Sequence, residues 1–302
     1  MKKVLVLMST YNGQMYLKEQ LVSIYAQKGV DCTLLVRDDG SSDCTKQILA
    51  EEEKNGNLRR YEGRNVGPAR SFWDLLSNAP KCEWYAFSDQ DDVWHEDKLK
   101  AALEQFGNCV DRPALYFGQT QLVDENLCPM DSVKIHPLLT YGEALMYQFV
   151  GGCTMVFNDK LRNELLKYTP RYMRMHDVWI YDVAMALGAW VCFDDKPYIL
   201  YRQHSRNAVG QVNSSLFRWR ERIGRLRKNE RIRSSIAREL WNGYAELMVE
   251  EHKELTFKVI NYKKCFNKVS LICGHELDCA NHFVSIFGRL SILFNLFRKI
   301  KL

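Results

Sequence analysis

The sequence predicts an α/β fold built on a mostly parallel central sheet, and three observations carry that expectation. Short apolar runs at Val4–Met8, Thr33–Arg37 and Glu83–Ser88 have the length and composition of strands buried on both faces. Helical patterning lies between the first two runs and again after the second, the alternation expected of βαβ units. Each run also stops abruptly in a polar loop.

Taken in order, Val4–Met8 ends in Ser9-Thr10-Tyr11-Asn12-Gly13, a turn signal. Tyr16–Gln27 then places Leu17, Leu21 and Ile24 on one helical face. Thr33–Arg37 is broken by Asp38-Asp39-Gly40-Ser41-Ser42-Asp43, and Ser42 or Asp43 is the expected N-cap of a helix carrying Ile48 and Leu49. Glu83–Ser88 is followed at once by Asp89-Gln90-Asp91-Asp92. Later, Gly151-Gly152-Cys153 leads into a strand at Thr154–Phe157. The glycines there suit either close backbone approach to a ligand or a bulge. Val178–Leu187 reads as a helix capped by Asp177, with Val183, Ala184 and Leu187 facing a core, and Tyr198–Tyr201 reads as a strand.

In sheets of this kind ligands collect beyond the carboxyl ends of the strands. No GxGxxG follows the first run and no GxxxxGK[ST] occurs, which excludes the usual dinucleotide fingerprint and a P-loop. What the strand ends do carry is acid. Alternate carboxylates on the turn Asp89–Asp92 can hold a hard divalent cation through oxygen, with substrate phosphates completing its shell. A diphosphate leaving group needs such help because negative charge accumulates on it. The competing reading is a solvated acidic turn capping the helix that starts near Glu96.

Four motifs in order and spacing resemble the family 2 glycosyltransferases: Ser9–Gly13, Arg37–Asp43, Asn65-Val66-Gly67 and Ser88-Asp-Gln-Asp-Asp-Val-Trp94. The resemblance covers roughly residues 1–210 and implies a GT-A (Rossmann-like) fold: a mostly parallel central sheet flanked by helices. The longer SDQDDVW string, with Met175–Trp179 and Tyr201–Asn207, is similar to a rhamnosyltransferase-like bacterial branch. It implies nucleotide contacts from Thr10, Tyr11, Asn12, Asn65, Gly67, Arg70, Asp89 and Gln90, with Asp38 or Asp39 accepting from a pyrimidine imide. Mn²⁺ or Mg²⁺ falls to Asp91 and His204, and Asp177 matches the base that deprotonates the acceptor hydroxyl. Asp182 is a weaker rival for the base. Gly152, Cys153, His176 and Trp179 are candidates for sugar contact, and Arg202 and Arg206 for steadying the diphosphate.

Charge divides the chain in two. Residues 1–214 carry 24 Lys/Arg against 28 Asp/Glu, whereas residues 215–302 carry 18 against 9. The expected organisation is therefore a catalytic domain at 1–214 and a basic helical extension at 215–302. Residues 216–240 (Phe217, Ile223, Leu226, Ile232, Ile236) and 284–302 (Ile286, Leu290, Leu293, Phe297, Ile300) read as basic amphipathic helices. They suit an anionic membrane surface, packing on the body, or pairing in a homodimer.

Other classes are excluded or set aside. A 302-residue chain that is 46% hydrophobic has ample core and is neither a disordered tail nor a disulfide-stapled miniprotein. Its amino terminus lacks the apolar stretch of a secretory signal, and no run reaches the roughly 18 residues of a spanning helix. The expectation is a cytoplasmic protein, peripheral on the inner face of the membrane. Cys273, His275, Cys279 and His282 do not have structural-zinc spacing. The acidic body and the absence of a nucleic-acid motif argue against a nucleic-acid partner. The expected activity is inverting transfer of a sugar to a hydroxyl of a cell-surface or lipid-linked glycan. dTDP-L-rhamnose leads as donor, a UDP-sugar is second, and a noncatalytic sugar-nucleotide-binding or scaffold protein is the alternative.

Overall fold

The computed structural model describes residues 1–107, 111–132, 134–147, 149–204 and 232–294. Cys109, Arg206, the first basic segment through residue 231 and the last eight residues lie outside the described part.

A seven-stranded sheet runs in the order β3-β2-β1-β4-β8-β6-β9. β1 (Lys2–Thr10) pairs in parallel with β2 (Val30–Asp38) on one side and β4 (Trp84–Ser88) on the other. β3 (Arg59–Glu62) continues in parallel beyond β2. On the opposite flank β8 (Val156–Asn158) is antiparallel to both β4 and β6 (Ala114–Gly118), and β9 (Trp190–Asp194) runs parallel to β6. A small second sheet joins β5 (Val93–Trp94), β10 (Ile199–Arg202) and β7 (Gln121–Val123) in the order β5-β10-β7. The mixed sheet and its flanking helices agree with the predicted α/β class.

The uninterrupted apolar run of β1 serves two cores at once, because successive side chains leave a strand on opposite faces. Val4, Val6 and Met8 pack with α1 (Leu17–Tyr25) and α4 (Lys98–Gln105). Leu5 and Leu7 pack on the other face with α3 (Pro68–Asn78) and α7 (His176–Ala186). Both layers are dry, which is why the run contains no polar residue until Ser9.

Element boundaries differ from the sequence expectation where side chains compete with backbone. Helix α2 (Thr45–Lys54) starts after Asp43, whose carboxylate accepts from the Thr45 amide (2.9 Å) and hydroxyl. Gly152–Thr154 forms a 3-10 turn, so the strand begins only at Val156. Helix α7 begins at His176 with Met175 as N-cap, which puts Asp177 inside the first turn.

The described C-terminal helices share a core with the body. α8 (Ile232–Tyr244) buries Ile236, Ala237, Leu240 and Tyr244, and Tyr244 donates to the Leu165 carbonyl at the end of α6 (Asp159–Leu165) (2.9 Å). α9 (Glu250–Ile260), α10 (Cys265–Cys273) and α11 (His282–Leu293) follow, contributing Leu255, Val259, Leu271 and Ile292 to the same cluster. No helix among the described residues is long and apolar enough to cross a membrane.

The link to the body is α5 (Tyr141–Met146), held between α7 and the later helices. Buried Glu143 accepts from the Leu138 amide (2.6 Å) with one carboxylate oxygen and from the Ala280 amide (2.8 Å) with the other. A Cβ on Gly142 would stand 1.5 Å from the Glu276 backbone carbonyl oxygen, which cannot rotate away as a side chain could. Gly142→Ala should therefore lower stability by about 1–3 kcal/mol in chemical denaturation, the cost of overpacking a tight contact. An unchanged midpoint would show that the 276–280 segment is free to move off α5.

Candidate active site

Strand register assembles the site. It sets Thr10 beside Asp38 and Met8 beside Ser88, so three polar loops leave the sheet side by side. They do so where strand order reverses about β1, the usual location of a ligand crevice. Short side chains then stitch the loops together. Asn12, in the left-handed region at φ 50°, accepts from the Ser42 amide (2.8 Å), and its own amide donates to Ser41 Oγ (2.9 Å). Gln90 accepts from the Tyr11 amide (2.9 Å) and donates to the Tyr11 carbonyl (3.0 Å). That pairing requires glycine at 13, where a Cβ would stand 2.3 Å from Gln90 Oε1. The Tyr11 side chain is left exposed at the crevice edge.

Asp38 and Asp39 do something other than the sequence suggested. The buried Asp38 carboxylate accepts from Thr10 Oγ1 (3.1 Å), the Gly40 and Ser41 amides (3.1 and 2.8 Å) and Ser41 Oγ (2.6 Å). Four donors fill the roughly four lone-pair sites of a carboxylate. Asp39 accepts from the amides of Val66 (3.1 Å) and Gly67 (3.0 Å) and pairs with the Arg37 guanidinium. Gly67 is the N-cap of α3 at φ 79°, so Asp39 anchors the start of that helix. Neither carboxylate presents a free oxygen to a base, which corrects that expectation. Asn65 is exposed beside this turn. Arg70 is engaged too, donating to the carbonyls of Pro170 (3.2 Å) and Arg171 (3.0 Å), and so ties α3 to the segment entering α7.

The acidic loop after β4 is held by a residue whose role the sequence misassigned. Arg202 is buried, and its guanidinium donates to the carbonyls of Asp91 (3.0 Å) and Glu125 and to the Glu19 carboxylate. Its amide donates to Asp92 Oδ1 (3.2 Å), and its guanidinium carbon lies 4.4 Å from the centre of the Tyr16 ring. Arg202 therefore shapes the loop and is not available to a diphosphate. Its place at the end of the apolar strand β10 was the only signal in the sequence.

Carboxylates crowd behind this loop. Burial, reinforced by Asp91 and Asp177, pushes Asp89 up to about 7. Burial beside Asp89 and Asp91 raises Asp92 well above the carboxylate range, and its Oδ2 has no hydrogen-bond partner among the described residues. Burial also lowers Lys98 to about 7, and its Nζ sits 3.6 Å from the Trp94 ring centre.

Two groupings of donors could receive a metal. Asp89, Asp92 and Cys153 bring ligand atoms within 4.8 Å of one another, the only such trio among the described residues. Its thiol is soft and, by burial and the neighbouring carboxylates, pushed well above its ordinary value. That suits a hard cation poorly. The second grouping lies further out, where His204 Nε2 and Asp91 Oδ2 are 2.9 Å apart and the His204 ring packs 4.9 Å from Tyr16. An oxygen and an imidazole nitrogen fit Mn²⁺ or Mg²⁺ better.

Across from the acidic loop stands Asp177. Its Oδ1 accepts from the Val178 amide (2.7 Å) and its Oδ2 from the Gly152 amide (2.9 Å). It is close enough to Asp89 to help raise that carboxyl. Gly152 is needed because a Cβ there would stand 2.7 Å from His176 Nε2, so the glycine serves close approach within the protein.

Three expected sugar contacts are buried instead. His176 stacks on Phe72 (ring centres 4.0 Å) and meets Phe87 edge-on (4.9 Å). Trp179 lies in the core against Tyr244, and Cys153 is also buried. Each is corrected to a packing role.

A crevice of polar loops at a parallel-sheet switch point, with crowded carboxylates and a facing Asp, has the chemistry of an enzyme site suited to group transfer. Residues 5–121 match the sequence model of Glycosyl transferase family 2. The chain is 29% identical to a dTDP-rhamnosyl transferase, RfbG, of Shigella flexneri over 240 residues, spanning 73% of this chain and 79% of that one. The fold is similar to that of S. aureus TarS 1–349 in complex with UDP-GlcNAc (TM-score 0.60, 19% identity, 99% of this chain and 82% of that one). It is also similar to mannosyltransferase PcManGT from Pyrobaculum calidifontis with GDP-Man and Mn²⁺ (TM-score 0.51, 16% identity, 96% and 79%). The match marks residues 5–121 as a family 2 glycosyltransferase segment, and the chain has the GT-A fold of these neighbours.

The site yields two stability predictions. Arg202→Ala strands buried carbonyls and should lower stability by about 1–3 kcal/mol, measured by denaturation. A wild-type midpoint would show that the loop holds itself. The second concerns His176, which burial lowers from 6.5 to about 4. The unfolded chain then takes up the proton first, so stability is intact above pH 6.5 and is lost as pH falls toward 4. His176→Phe should flatten that loss by up to about 3 kcal/mol. Raised Asp89 bends the curve the other way, so the difference between the two proteins is the readout. Parallel curves would refute a neutral buried imidazole.

Proposed function

We propose that this glycosyltransferase is inverting and divalent-cation-assisted, moving L-rhamnose from dTDP-rhamnose to a hydroxyl of a cell-surface polysaccharide or lipid-linked glycan. It would act at the inner face of the membrane. The name of the Shigella flexneri relative supports the donor. The observation that carries the reaction is the pose of Asp177, fixed by the Gly152 and Val178 amides and facing the acidic loop.

In this reading Tyr11, Asn12, Asn65 and Gly67 border the nucleotide, while Asp38, Asp39 and Gln90 hold the loops that do so. Asp177 accepts the proton of the acceptor hydroxyl as that oxygen attacks the anomeric carbon. The bond from that carbon to the diphosphate breaks on the opposite face, and the nucleoside diphosphate leaves with the electron pair, so the configuration inverts. Asp91 and His204 would hold the cation, which when bound neutralises charge on the leaving diphosphate.

A thermal-shift screen with and without Mn²⁺ tests this reading. At 100 times its Kd, a donor that binds only the folded state adds about 2.7 kcal/mol, and dTDP-rhamnose should raise Tm. A response to UDP-sugars alone would transfer the donor assignment to them, and no response to any sugar nucleotide would overturn it. Asp177→Asn should keep that shift yet lose about 10²–10⁴-fold in turnover, the usual share of a general base. Full activity in this variant would remove Asp177 from the chemistry. Asp91→Ala should abolish the effect of Mn²⁺ on the shift, whereas an unchanged effect would place the cation elsewhere.

A further inference from the structure

Helix α11 is docked inside out. The residues it buries are Ser285, Gly288 and Ile292. Gly288 lies so near α5 that a Cβ there would stand 2.0 Å from the Met146 methyl carbon. Its bulk points away: Phe283, Ile286, Phe287, Leu290, Leu293 and Phe294 recur at helical spacing and are 39–71% exposed. Phe266 and Val269 on α10 add further exposed apolar surface. Lys268 ties the two helices, donating to the Leu293 carbonyl (3.0 Å). A helix on a soluble body ordinarily turns its large apolar residues inward. A contiguous outward stripe of them marks an interaction surface.

We propose that the outer face of α11 is a membrane-docking surface, seated in the headgroup boundary of an anionic bilayer. Charge selects this occupant. Lys263 and Lys264 stand exposed just before α10, next to Phe266, and Lys268 lies on it, while Arg289 on α11 pairs with Asp278 (2.6 Å); from Phe283 to Leu302 the sequence carries four Lys/Arg and no Asp/Glu. A second copy docked on the same face about a two-fold axis would bring the exposed Lys263 and Lys264 toward their equivalents. Anionic lipid neutralises them while the Phe, Ile and Leu side chains leave water.

The surface also has a defined relation to the catalytic residues. α11 rests on Met146 at the end of α5, and six residues later the Gly152 amide holds Asp177. The chain thus runs in six residues from the contact beneath α11 to the amide that holds the proposed base. That last point rests on the proposed function; the docking itself does not.

Vesicle flotation of the full chain tests the proposal, using phosphatidylcholine with and without phosphatidylglycerol. The wild-type chain should float with the anionic vesicles and at least about tenfold less with neutral ones or at high salt. Ile286→Glu combined with Leu290→Glu should cut anionic flotation at least about tenfold, because both side chains would leave the apolar phase. Its Tm, and its Tm shift with dTDP-rhamnose, should match the wild type. Should the double variant fail to fold, Phe283→Ser at the most exposed position should still lower flotation. Flotation of the variants equal to wild type, or none by the wild type, overturns the proposal. So does a concentration-dependent dimer abolished by these substitutions without vesicle binding, which would give the face to a second copy. Absence of a dTDP-rhamnose shift in a wild-type chain that still floats would count against the donor alone.

Discussion

The register of β1 against its two parallel neighbours is the constraint on which the rest depends. Met8 lies across from Ser88 and Thr10 from Asp38, so the loops that follow begin at adjacent points. A slip of one residue would separate those loops and also turn Val4, Val6 and Met8 toward the wrong core. Burial on both faces makes such a slip costly. Precision at the crevice is thus inherited from packing several residues away.

What the crevice must then tolerate is like charge. Burial raises both Asp89 and Asp92, with Asp91 and Asp177 adding to the first and Asp89 and Asp91 to the second. The protein manages this with directional donors: the Arg202 guanidinium on the loop carbonyls, its amide on Asp92, and the Gly152 and Val178 amides on Asp177.

The C-terminal helices bear on the same site through α5. Gly142 and Glu143 fasten that helix to the 276–280 segment, and Met146 rests beneath Gly288. The basic, apolar end of the chain is therefore structurally continuous with the segment that positions the base. Over 232–294 the helices bury one set of apolar residues in the shared core, while α11 keeps another at the surface.

Sequence by itself determined the α/β class, the strands that end in polar loops, and the acidic turn at Asp89–Asp92. Those features are local: an unbroken apolar run followed by a turn states its own conformation, and acids clustered on one turn stay together however the chain folds. Tertiary structure decided the rest. Asp38 and Asp39 became loop fasteners because Ser41, Val66 and Gly67 arrive with amides to satisfy them. Arg202 became the support of the acidic loop because β10 ends beside it. His176 and Trp179 went into the core because α7 is buried on nearly every face. Periodicity made α11 amphipathic, yet only the close approach of Gly288 to Met146 decided which stripe faces in. A repeat along a chain reports that two faces differ; which one is buried depends on the space its neighbours leave.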